Sequence, residues 1–192
     1  MKRSSIILLC SSALLCLLIT SACSHKLSRG KAKELLLEKG GFPRPVTETW
    51  QCGEVSYFGD GSRDIAKQHR YVDGGLVTFT PIGTNPGMGG LYTVFRMTFP
   101  TKAQGYVVQM APDHADVRMA DLVFGNITGI REAADGKEAA VDFTLKYDNL
   151  TPFGNARNAT DADNGQPETY DKDKVMQMHT RLVKYDDGWR TE

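Results

Sequence analysis

IREAADGKEAAVDFTLKY, residues 130–147, carries a turn signal and one cleanly alternating arm. Asp135-Gly136 is the strongest short hairpin signal in the chain, because the glycine accepts the positive φ that a tight reversal needs. In the second arm Val141, Phe143, Leu145 and Tyr147 fall on one face of a strand. Asp142, Thr144 and Lys146 fall on the other. Such alternation describes an antiparallel sheet buried on one side only. The predicted strands cover 127–133 and 139–147, on either side of the turn.

On both sides of this hairpin the pattern stays mostly β. Strands are predicted over 46–58, 76–80, 91–99 and 105–110, again from 117 onward, and last over 175–185. The first changes parity midway. Val46, Trp50 and Cys52 share one face, while Val55 and Tyr57 belong to the other. A bulge at Gly53 would restore a single buried face. Two short helices are predicted early. One covers 31–39, with Ala32, Leu35 and Leu36 on one side, and Gly40-Gly41 and Pro43 ending it. The other covers 62–72, with Ser62 as N-cap and Ile65, His69 and Val72 at helical spacing. The segment 148–174 is long, polar and rich in Asn and Asp, and reads as a loop that Phe153 anchors. Together these give an α+β fold, one domain, with an antiparallel sheet of about seven strands and the two N-terminal helices on one face. At fold level, short helices before an antiparallel sheet are similar to cystatin-like and NTF2-like domains, a likeness that carries no motif and implies no function.

The chain begins with Lys2 and Arg3, followed by an apolar run over 6–20. A membrane-crossing helix needs roughly 20 apolar residues. A basic start, a shorter apolar middle and a small-residue end describe a secretory signal peptide. Ser21 and Ala22 stand immediately before Cys23. This resembles the lipobox of bacterial lipoproteins. Cys10 and Cys16 do not fit it, since bulky leucines precede each of them. The sequence departs from the family at Thr20, where leucine is usual. The resemblance implies removal of residues 1–22 and acylation of Cys23, palmitate included. A lipidated tether over 23–30 and a periplasmic domain over 31–192 would follow. Serine at position 24, in place of the aspartate that marks inner-membrane retention, implies the outer membrane and its periplasmic face. Several acyl chains, at about 0.8 kcal/mol per buried CH₂, make such an anchor permanent.

The full chain has 192 residues with 23 basic and 23 acidic side chains. Losing residues 1–22 removes two bases and no acid. The balance turns slightly acidic, which excludes a nucleic-acid binder of the usual basic kind. Once Cys10 and Cys16 are removed and Cys23 is acylated, Cys52 has no disulfide partner within the chain. It reads as a buried, inert thiol beside Trp50.

No motif in the remaining sequence is complete. PIGTNPGMGG, residues 81–90, lacks the Gly-Lys-Ser/Thr of a phosphate loop and runs into a strand, so it reads as a loop. Ser62 lacks the flanking glycines of a nucleophile elbow. Asp113, His114 and Asp116 lie close enough in sequence to orient an imidazole for acid–base chemistry. Asp161, Asp163 and Glu168 resemble a broken calcium loop, with glycine one place early and Lys172 where the twelfth-position glutamate belongs. The expectation is a non-enzymatic lipoprotein without a cofactor, anchored in the membrane by its N-terminal lipid. Its role would be binding or structural, with an envelope protein or the cell wall as partner. The alternatives are an enzyme built on Asp113, His114 and Asp116, or a calcium-stabilised recognition module.

Overall fold

The computed structural model describes residues 26–192 apart from Met88. The expected signal peptide over 1–22 and the expected acylation site, Cys23, lie outside the described residues. One strand organises the rest: β6 (His114–Glu132), nineteen residues long. β1 (Arg44–Gln51) and β5 (Val107–Met110) pair antiparallel with its first half, and β7 (Glu138–Asp148) with its second. β8 (Met176–Tyr185) and β9 (Gly188–Thr191) continue the sheet beyond β7. A second sheet has the order β2 (Gly53–Phe58), β4 (Gly90–Thr98), β3 (Thr78–Gly87). The helices are α1 (Arg29–Gly40), α2 (Ser62–Ala66), α3 (His69–Asp73), α4 (Thr101–Gln104) and α5 (Pro152–Asp163).

The architecture is α+β and antiparallel, as expected. Among the described residues there are nine strands in two sheets and five helices, in place of one sheet of about seven strands with two helices. Each difference has a physical reason. The parity change at Gly53 marks a change of sheet rather than a bulge. β1 pairs β6 up to Gln51, and β2 pairs β4 from Gly53. Gly53 has φ 72°, and a Cβ there would meet Pro112 O at 2.5 Å, so glycine alone fits the corner. Val55 can therefore be buried on the opposite parity from Cys52.

The segment PIGTNPGMGG is mostly strand. β3 runs through it and pairs with β4 down to Gly87, with one irregularity between Pro81 and Gly83. Its prolines are tolerated because β3 is the edge of its sheet, where a missing N–H breaks no ladder bond. The predicted 62–72 helix is two short ones, α2 and α3, and Gly61 rather than Ser62 is the first N-cap. The predicted strand over 105–110 loses its first two residues, and α4 precedes it. Within the segment 23–30, the described residues from Leu27 on are already part of the fold. Leu27 is buried, Ser28 caps α1 by accepting from Lys31 N, and Arg29 Nη1 donates to Ile127 O.

The alternating arm follows the expected faces except at Thr144, which is buried, its Oγ1 accepting from Asn126 N at 2.9 Å. Val141, Phe143 and Leu145 are buried and Lys146 is exposed. The turn spans four residues, with Ala133 N donating to Glu138 O and Lys137 N to Asp135 Oδ1. Two apolar clusters lie along β6. One gathers Leu27, Ala32 and Leu36 of the α1 region with Leu122, Ile127, Val141, Leu182 and Trp189. The other gathers Val55, Phe95 and Met97 of the second sheet with Val117, Met119 and Phe153. Val46 and Tyr147 touch both.

Candidate functional site

The largest departure from expectation lies in 148–174. The predicted loop contains α5, twelve residues long. Thr151 caps it. Its Oγ1 accepts from Gly154 N at 3.2 Å and donates to Arg118 O at 2.7 Å, while Pro152 takes the first turn. Asn, Asp and Thr are weak helix formers, so propensity alone would not make this helix. Tertiary burial does. Phe153 is fully buried, within about 6 Å of the rings of Trp50, Tyr71, Phe99 and Tyr106. It anchors the segment, as its apolar character among polar neighbours suggests. Gly154 allows the approach, because a Cβ there would lie 2.3 Å from Met119 O.

After Gly165 the chain turns back along α5 and is pinned by side chains of the helix. Asp161 Oδ2 accepts from Thr169 Oγ1 at 2.6 Å and from Thr169 N at 3.0 Å. Asn158 bonds both backbone groups of Tyr170. The Tyr170 hydroxyl reaches Glu48 Oε1 on β1 at 2.8 Å. Arg157 pairs with both Asp161 and Glu48. Burial raises the Asp161 pKa, but the Thr169 bonds and the Arg157 charge outweigh it and hold the carboxyl below the usual range. Burial pushes the Tyr71 hydroxyl up to about 12, and burial together with the Glu48 hydrogen bond raises that of Tyr170.

Between the exposed face of α5, the end of β7 and the returning segment lies an open cleft of about 550 Å³. Asn155, Asn158, Ala159 and Ala162 line it from the helix. Asp148, Asn149, Glu168 and Lys172 face them from the flanks. The lining is rich in carboxamides and carries both charge signs. It can offer donors and acceptors to a polar ligand without committing to one sign of charge. Asn149, at φ 47°, is the described non-glycine residue with positive φ, and its Nδ2 donates to Asp121 Oδ2 at 3.0 Å. The sequence reading missed the cleft because no single residue in it is unusual. The one available signal was Thr151-Pro152, an N-cap followed by a first-turn proline.

The residues singled out from sequence do not converge. Asp113 accepts from, or pairs with, His114 Nδ1 at 2.7 Å, but its side chain is 86% exposed. Asp116 turns away and accepts from Thr49 Oγ1 at 2.6 Å. None of the three lines the cleft. The calcium candidates are likewise separated in role. Asp161 serves Thr169 and Arg157, Asp163 binds Arg70 and His69, and Glu168 accepts from Asn158. Among the described residues, no group of three His, Cys, Asp or Glu side chains is placed to hold a metal ion. Cys52 is buried, with its Sγ 3.8 Å from Ala111 O. Cys23 lies outside the described residues. Among the described residues no helix is long and apolar enough to cross a membrane.

Comparison with protein-family models, curated proteins and solved structures finds no match to this chain.

Proposed function

We propose that this chain is a bacterial envelope lipoprotein, acylated on Cys23 and attached to the periplasmic face of the outer membrane. Its α+β domain acts by binding rather than by catalysis. One observation carries the anchor: an apolar run too short to span a bilayer ends at Ser21-Ala22-Cys23, and the folded domain begins four residues later at Leu27. The α5 cleft supports the binding role. Asn155, with Asn149, Asp148, Glu168 and Lys172 on the flanks, suits a hydroxyl-rich ligand such as a cell-wall glycan, while Asn158 is already held by Tyr170 and Glu168. The enzymatic reading loses its geometric support, because Asp116 bonds Thr49 while Asp113 and His114 stand exposed.

The decisive experiment is mass spectrometry of the mature N-terminus from isolated outer membranes. The expected product starts at Cys23 and carries acyl mass. An unacylated N-terminus, or Cys23→Ser protein that stays in the membrane pellet as firmly as wild type, would overturn the anchor.

A further inference from the structure

The distance between the anchor and the fold is short, and this has a geometric consequence. Four residue steps separate Cys23 from Leu27. At most ~3.6 Å per residue, they span no more than about 14 Å. Leu27 is not free to add length. Its side chain is buried beside α1, and its amide donates to Glu132 Oε1 at 2.6 Å. Acyl chains on residue 23 would lie in hydrocarbon, below a headgroup layer of roughly 5–8 Å. The part of the domain around Leu27 would then rest at the headgroup surface.

That part of the domain is one end of the main sheet. Lys26 lines a hollow with Arg29, Ile130 and Glu132, and a second hollow with the Tyr185–Gly188 turn. The β6–β7 turn lies alongside, with Lys184 N donating to Lys137 O. Tyr185 is 49% exposed, and the Arg190 guanidinium lies 5.2 Å from its ring centre. Arg190 also pairs with Asp187 of the same turn, so the face presents an amphipathic ring beside a neutralised ion pair, which suits the headgroup layer. The far end of β6, at His114, lies eighteen positions from Glu132, a contour of roughly 60 Å at ~3.3 Å per residue. The α5 cleft adjoins the Met119–Asp121 stretch, well along β6 from Glu132.

We infer that the sheet end formed by Leu27, Glu132 and the Tyr185–Gly188 turn is a bilayer-docking face. The short link fixes the domain's orientation and holds the cleft away from the lipid. The inference rests on acylation of Cys23. The test uses the full acylated chain in vesicles of phosphatidylethanolamine and phosphatidylglycerol that contain headgroup-nitroxide lipid. A fluorophore is placed at Tyr185→Cys in one sample and at Val108→Cys in another. Val108 is 58% exposed and sits on β5, beside the far half of β6. Buried Cys52 stays unlabelled.

Quenching at position 185 is expected to exceed that at 108 several-fold. Inserting twelve Gly and Ser residues between Ser24 and His25 should bring the ratio close to one. Equal quenching at both positions in acylated, native-length protein would overturn the docking face alone. A ratio unchanged by the insertion would overturn the short link as its cause. Intact mass without acyl groups would overturn the anchor together with it.

Discussion

The Tyr170 hydroxyl donates to Glu48 Oε1 at 2.8 Å, a bond between residues 122 positions apart. It ties the segment that closes the cleft to the first strand of the main sheet. Tyr170→Phe should cost about 1–2 kcal/mol, since it leaves a half-buried carboxylate without that donor while Arg157 still faces it. The urea midpoint should fall with the m-value unchanged. An unchanged midpoint would show that water replaces the bond without loss.

Gly154→Ala should destabilise the protein by about 1–3 kcal/mol, because the new methyl meets Met119 O and backbone cannot swing aside. The check is equilibrium denaturation. Helix propensity alone would give the opposite sign, since alanine favours helix over glycine by about 1 kcal/mol.

Acid should loosen the returning segment first. The Asp161 carboxyl has a lowered pKa in the folded state. It therefore contributes stability that is fully present above the ordinary aspartate range near 4 and is lost as pH falls through the lowered value. Asp161→Asn should remove that portion of the pH dependence. Hydrogen exchange at the Thr169 amide, which Asp161 accepts, is the readout.

Cys52 should resist thiol reagents in the native state. It is 5% exposed, and burial, with the nearby Asp113 charge, raises its pKa. Reaction should appear only at denaturant concentrations that unfold the domain. Fast labelling without denaturant would contradict its burial.

Asn155→Ala is expected to change stability by no more than about 0.5 kcal/mol, because residue 155 is on the exposed face of α5. Sedimentation with purified cell-wall sacculi should nonetheless drop for this variant. Equal sedimentation of variant and wild type would remove the cleft from the binding role.

Local signals were readable wherever one element settles its own form. The Asp135-Gly136 turn and the Val141, Phe143, Leu145 series needed nothing beyond glycine's free φ and a period of two. The same reading failed over 148–174, where composition argued for a loop. There the Phe153 ring environment and the pins from Asn158 and Asp161 make a helix that its residues would not form alone.

The amino-acid order alone settled the Asp135-Gly136 hairpin and the α+β class, because these depend on neighbours a few positions apart. Folding in three dimensions decided the rest: the change of sheet at Gly53, the prolines accepted on the edge strand β3, α5 and the cleft it lines. Each of those depends on which distant backbone comes to lie alongside. Burial and edge pairing are contacts across the chain, and no local periodicity records them.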